Sequence, residues 1–135
     1  ECGLLPGALM RNNKMQFICK YTHLVSNYDN TWINKKQLGK VIFLPVAHHD
    51  GNYYADDNTI ERLIKDNRIA YQYCTSAGVI EKSSNINGST NNIAGIISDK
   101  ENVLGMMPHP ERAINTKLGG EDGINFFKNV FEKLG

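Results

Sequence analysis

The stretch Leu104-Gly105-Met106-Met107-Pro108-His109-Pro110-Glu111-Arg112 decides how the chain is read. An apolar run ends there, with a histidine and a glutamate two residues apart. Pro110 fixes its own φ and removes a backbone donor, and it pushes His109 out of the helical region toward an extended conformation. In an extended segment residues i and i+2 point to the same side. His109 and Glu111 are therefore expected to project together from the end of a buried strand. A carboxylate beside an imidazole accepts its N–H, fixes its tautomer and stabilises its charged form. That supplies the base and the orienting group of a nucleophile–base–orienter constellation. A surface turn in which Arg112 simply pairs with Glu111 would show the same spacing.

Around this stretch, residues 93–98 and 102–107 read as two strands joined by Asp99-Lys100-Glu101. Residues 68–74 alternate through Ile69, Tyr71 and Tyr73, a further strand. Residues 40–47 form a continuous apolar run, expected to be covered on both faces, with Pro45 ending its pairing or lying at an edge. Residues 15–25 alternate through Phe17, Cys19 and Tyr21, again a strand. Residues 3–7 are turn material. Residues 26–40 and 81–92 read as loops, the first carrying Trp32 against the sheet. A short helix is expected over residues 58–66, opened by Asn58 and Glu61 and stopped at Asn67. Asp122 is expected to cap a last helix whose apolar face is Ile124, Phe127, Phe131 and Leu134. Strands flanked by helices give an α/β class, and strands outnumbering helices make the sheet partly antiparallel.

The bulk composition excludes several functions. The 135 residues carry a net charge of +1, from 15 basic and 14 acidic side chains, which offers nothing specific to nucleic acid or an anionic membrane. No apolar run reaches the length of a membrane span, and no signal peptide is expected. The cysteines Cys2, Cys19 and Cys74 are too few and too scattered for a disulfide framework or a zinc site. An odd count fits a reducing, cytoplasmic setting. His48, His49 and His109 lack the spacing of a metal site, so no metal is expected.

A His–Glu pair needs a nucleophile to activate. A cysteine in that role stands at a tight strand-to-helix turn, where helix N–H groups lower its pKa and form an oxyanion hole. Cys2 has too little chain before it for a strand. Cys19 lies inside an alternating strand and reads as packing. Cys74 ends a strand, but Val79-Ile80 and no helix pattern follow its turn. Ser76 and Ser89 fail in the same way. The sequence shows a base and an orienter without a nucleophile.

Several stretches share one resemblance. Residues 106–113 (Met-Met-Pro-His-Pro-Glu-Arg-Ala) resemble the signature of the small glutaminase subunits of phosphoribosylformylglycinamidine synthase, which are class I, triad-type glutamine amidotransferases of purine synthesis. Residues 3–9 look like the segment that follows the nucleophile helix in that family. Residues 45–51 (Pro-Val-Ala-His-His-Asp-Gly) resemble its Pro-Ile-Ala-His-Gly-Glu-Gly stretch, with His49 and Asp50 as departures. Asn87-Gly88-Ser89 matches the end of its Asn-Pro-Asn-Gly-Ser loop, and Asp122-Gly123 opens the last helix as there. The resemblance implies a flavodoxin-like α/β fold, of which residues 1–135 are the C-terminal portion of a single amidotransferase domain, the N-terminal part being absent. It implies a Cys–His–Glu triad with His109 as base and Glu111 as orienter, and a nucleophile in a Gly-x-Cys-Asn-Gly-x-Gln elbow upstream of Glu1. Glutamine would be the substrate, with ammonia passed to a large synthetase subunit, and a third small subunit completing the complex. ATP and Mg belong to the large subunit, and this chain needs no cofactor. His48 would contact substrate or a neighbouring subunit. The expected function is a glutaminase that is inactive on its own. The alternative is a non-catalytic remnant that docks on the large subunit. A chain whose strands lack neighbours is also expected to be marginally stable, dimeric or aggregation-prone.

Overall fold

The computed structural model describes residues 3–135. Cys2 lies outside them, as does the side chain of Leu134. A five-stranded sheet has the order β3-β2-β5-β6-β7, formed by β2 (Ile18–Val25), β3 (Val41–His48), β5 (Ile69–Cys74), β6 (Ile93–Ile97) and β7 (Leu104–Met106). Every pairing in it is antiparallel, so the mixture expected from the sequence is fully antiparallel among the described residues. A separate two-stranded ribbon pairs β1 (Ala8–Met10) with β4 (Asn52–Tyr54). The chain also contains two α-helices, α1 (Asp57–Lys65) and α2 (Asp122–Leu134).

The strand β5 occupies the middle of the sheet and all its residues are buried. Its aromatic and β-branched residues suit that position. Its pairing with β6 shifts register around Tyr71, the local irregularity of a bulged strand. The hairpin β6–β7 forms where residues 99–101 predict it, and Glu101 supplies its positive φ of 55°. Leu24, Leu44, Val46, Tyr71, Tyr73 and Phe126 form the main core cluster. A second cluster gathers Tyr53, Leu63, Ile69, Ile93 and Ile96. Trp32 is half-buried against the first, and its indole N–H donates to the carbonyl of Glu101 at 2.9 Å.

Four local expectations change. The strand β3 is an edge strand with one buried face: Leu44, Val46 and His48 are buried while Phe43 is 40% exposed. An unbroken apolar run overstated its burial because Phe43 finds aromatic cover on the outer face, stacking on Tyr21 at 5.0 Å and against His23 at 4.5 Å. Pro45 does sit at an edge, with no N–H to leave unpaired. The helix α1 begins one residue early, because Asp56 and not Asn58 is its cap; the Asp56 carboxylate accepts from the Thr59 N–H at 2.7 Å. The helix α2 buries Phe126, with Phe127 and Val130 half-buried, whereas Ile124 and Phe131 face solvent, Phe131 at 73%.

The fourth change concerns Asp122. The N-cap residue is Glu121, without a side-chain cap bond, and Asp122 is the first residue of the helix. The Asp122 carboxylate accepts the backbone N–H of Phe43 at 2.7 Å. A few residues further along β3, the Pro45 carbonyl accepts the N–H of His109 at 2.8 Å. The exposed edge of the sheet is thus covered by the chain that carries the His–Glu pair. Asp122→Ala removes a charged acceptor from a partly solvated N–H. We expect it to cost about 1 kcal/mol, read as a lower urea midpoint, with Asp122→Asn recovering most of it. Exposed Met15, Phe17, Tyr54 and Phe131 keep self-association as the expected behaviour. Sedimentation velocity over a concentration series should show it; a monomer at every concentration would refute it.

Candidate active site

His109 and Glu111 meet, but by a different local geometry from the extended one. His109 has φ −106° and ψ 88°, and residues Pro110–Arg112 make a 3₁₀ turn for which His109 is the N-cap. Pro110 suits the first position of such a turn, where its missing N–H is not needed. The turn is closed by the Arg112 N–H donating to the His109 carbonyl at 3.1 Å and by the Ala113 N–H donating to that of Pro110, also at 3.1 Å. The Glu111 side chain then reaches back, and its Oε1 lies 2.8 Å from His109 Nδ1. A carboxylate only accepts, so Nδ1 carries the hydrogen, and in the neutral ring the lone pair is then on Nε2. Among the described residues nothing hydrogen-bonds to Nε2. Arg112 Nε stands 3.7 Å from the same carboxylate oxygen, so the Arg112–Glu111 ion pair of a surface turn coexists with the His–Glu contact. The His109 side chain is 31% exposed and that of Glu111 56%. The ring is accessible to a reacting group.

The frame around the pair is closely packed. Pro108 and Pro110 are buried, as is Gly123 at the start of α2. The Gly123 N–H donates to the Ala113 carbonyl at 2.8 Å. A Cβ at this position would fall 1.8 Å from the Pro110 carbonyl oxygen, so only glycine lets the helix approach the turn this closely.

His48, at the end of β3, is buried and lies among asparagines. Its Nδ1 is 3.1 Å from Asn12 Oδ1, and its Nε2 is 3.5 Å from Asn87 Nδ2. Asn12 Nδ2 donates to the His48 and Gln16 carbonyls, and Asn12 Oδ1 also accepts the Gly51 N–H. Asn87 donates to the Gly51 carbonyl at 2.7 Å and to the Tyr73 hydroxyl at 3.1 Å, and accepts from Ser89 Oγ at 2.6 Å. Burial lowers the His48 pKa from the ordinary value of 6.5, and the neighbouring His109 adds to that, against its backbone hydrogen bond and Asp50. A folded-state value below the unfolded one makes the unfolded chain bind protons first. The contribution is present above about 6.5 and is lost as pH falls through the folded value. Urea midpoints should therefore drop on acidification below about pH 6.5, and His48→Asn should remove that part of the drop. Parallel curves for the two proteins would refute it.

Spacing alone does not mark Asn12, Asn87, Tyr73 or Gly123 as site-forming residues. Asn87 and Gly123 appeared only as parts of matched stretches, and nothing in the sequence marks Asn12. One cysteine differs from the sequence reading: Cys19, expected as packing, lies on β2 at the outer face of the sheet and is exposed. Cys74 is buried and desolvation pushes its thiol up to about 11, far from a ready thiolate. Among the described residues no cysteine sulfur lies within hydrogen-bond reach of the His109 ring. Nor do three or more His, Cys, Asp or Glu side chains cluster as metal ligands among them. No helix among them is long and apolar enough to cross a membrane. An apolar cavity of about 690 Å³ lies between residues 3–9 and the β6–β7 hairpin and reaches Met107.

The profile of a CobB/CobQ-like glutamine amidotransferase domain matches residues 5–119. The chain belongs to this amidotransferase family. It is 47% identical over 135 residues to the phosphoribosylformylglycinamidine synthase subunit PurQ of Bradyrhizobium diazoefficiens, covering 99% of this chain and 58% of that protein. It is 46% identical over 131 residues to PurQ of Gloeobacter violaceus, covering 96% of this chain and 56% of that protein. Among solved structures, a chain in the structure of PurLQS from Thermotoga maritima matches with a TM-score of 0.78 and 34% identity, over 98% of this chain and 55% of that one. The family resemblance and the amidotransferase α/β fold read from the sequence are thus borne out. This amidotransferase chain spans about 58% of the length of the curated relatives it matches.

Proposed function

We propose that this chain carries the base and its orienting carboxylate for a glutaminase that serves phosphoribosylformylglycinamidine synthase in de novo purine biosynthesis. The observation that supports this most is the 2.8 Å His109–Glu111 contact, which leaves Nε2 free to face a reacting group. In this reading a cysteine thiol outside the described residues gives its proton to His109 Nε2 and attacks the side-chain carbonyl of glutamine. Glu111 holds the ring in the Nδ1–H form and offsets the charge that develops. The protonated ring then donates to the departing nitrogen, releasing ammonia and leaving a thioester. Water, activated by the same Nε2, cleaves the thioester to glutamate and restores the thiol. Ammonia passes to a large synthetase subunit that spends ATP, with Mg, on amidating formylglycinamide ribonucleotide; a third small subunit completes the assembly, in the cytoplasm. The chain alone is inactive.

Substituting this chain for the matched 58% of the Bradyrhizobium PurQ, and assaying with its synthetase partners, tests the reading. Glutamine-dependent product from the graft, and none from the chain alone, is the expected result. A graft that assembles with the partners but releases no ammonia would favour the second reading, a docking module without catalysis. The placement of Cys19 and Cys74 away from the His109 ring motivates that alternative.

A further inference from the structure

We infer that His48 acts as a positioning residue, held as the neutral Nδ1–H tautomer between Asn12 and Asn87, so that the proton moved in the proposed reaction resides on His109 alone. This rests on the glutaminase reading above. Asn12 spends both amide hydrogens on the carbonyls of Gln16 and His48, at 2.8 and 2.9 Å. Its Oδ1 can then only accept, from the Gly51 N–H and from His48 Nδ1, each at 3.1 Å. The other ring nitrogen faces an amide nitrogen, Asn87 Nδ2, whose hydrogens also reach the Gly51 carbonyl and the Tyr73 hydroxyl. A proton on His48 Nε2 would set a donor against a donor in a buried place, which is costly. The ring is therefore fixed by its surroundings in one uncharged form.

The ring also fills the turn it stabilises. A Cβ on Gly51 would lie 2.3 Å from His48 Cε1. The strand that ends at His48 is the one whose Pro45 carbonyl holds the His109 N–H. Loosening the strand end would therefore reach the His109 backbone. The titratable and charged groups that face His48 are His109 from the 3₁₀ turn, Asp50 from its own turn, and Tyr73 from β5 through Asn87. Asp50 is drawn outward to Arg11, at 3.9 Å. An uncharged His48 adds no positive charge beside the ring that must take and return a proton.

Long-range ¹H–¹⁵N spectra of the histidine-labelled chain test this directly. Between about pH 5 and pH 8, where histidines ordinarily change charge, His48 is expected to keep the Nδ1–H neutral pattern. His48→Asn supplies the same donor without a titratable group, and should keep slow exchange at the Gly51 amide and the pH profile of glutamine hydrolysis in the graft. His48→Phe should speed that exchange by about tenfold or more, the equivalent of one buried hydrogen bond, and should alter the His109 ring resonances. An Nε2–H tautomer, a His48 ring that gains a proton in that window, or a His48→Phe chain with unchanged Gly51 exchange and His109 resonances would each overturn the inference. These spectra need no turnover. A silent graft would sink the glutaminase reading alone, and an active graft with a titrating His48 would sink this inference alone.

Discussion

His109→Ala is expected to lower kcat for glutamine hydrolysis in the graft by about 10²–10⁴-fold, the range of a general acid–base group, with KM nearly unchanged. The ring makes its contribution through Nε2, which nothing else in the described structure occupies. Losing it removes proton transfer and leaves substrate binding intact, so the loss falls on kcat. Glu111→Gln should be nearly as damaging. An amide facing Nδ1 can offer a hydrogen where the carboxylate accepted one, and the ring then turns over to the tautomer with its hydrogen on Nε2. A Glu111 engaged only with Arg112, 3.7 Å away, would be a surface ion pair of little consequence. Arg112→Ala distinguishes the two: it should change the rate far less than either His109→Ala or Glu111→Gln. Equal losses in all three would count against the catalytic assignment.

Gly123→Ala should destabilise the chain by about 1–3 kcal/mol, the usual cost of forcing extra volume into a packed place, and should also reduce activity in the graft. The added Cβ would stand 1.8 Å from the Pro110 carbonyl oxygen and 2.7 Å from that of Ala113. Both are backbone atoms of the segment bearing Glu111, and neither can swing aside as a side chain would. Relief requires α2 to lift from the 3₁₀ turn, which strains the Gly123 N–H bond to Ala113 and moves Glu111 relative to His109. Exposed Lys128 on the same helix serves as the control, since Lys128→Ala should fall within about 0.5 kcal/mol of the parent. Thermal unfolding of the two variants settles the comparison. A Gly123→Ala protein as stable as the parent would show that the helix and turn are less closely packed.

Most secondary structure was legible because it depends on short-range chemistry. The β6–β7 hairpin follows from two apolar runs around Asp99-Lys100-Glu101. The stop of α1 follows from Asn67, whose φ of 55° suits an asparagine. Helix faces were less legible. The apolar face read from the sequence was Ile124, Phe127, Phe131 and Leu134, whereas the helix buries Phe126 and half-buries Phe127 and Val130. Which face turns inward depends on how the helix seats on the 3₁₀ turn at Gly123, a contact with residues far from the helix's own pattern. The cap of α1 was misplaced because Asp56 and Asn58 are both competent caps, and only the backbone shows which one accepts the Thr59 N–H.

By itself the sequence put His109 and Glu111 beside one another as a candidate base and orienting carboxylate, while their contact is made by a 3₁₀ turn and not by the extended segment read from Pro110. The amidotransferase family was legible from the residues flanking them. Only the tertiary structure decided which distant groups hold that pair in place. Asp122 reaches Phe43, Pro45 receives His109, and Asn12 and Asn87 enclose His48. The ribbon that pairs Ala8 with Tyr54 belongs with them. These contacts join residues far apart in the chain through one or a few hydrogen bonds each. Each depends on strand order, register and helix rotation all being set first, and no periodicity or local spacing encodes those.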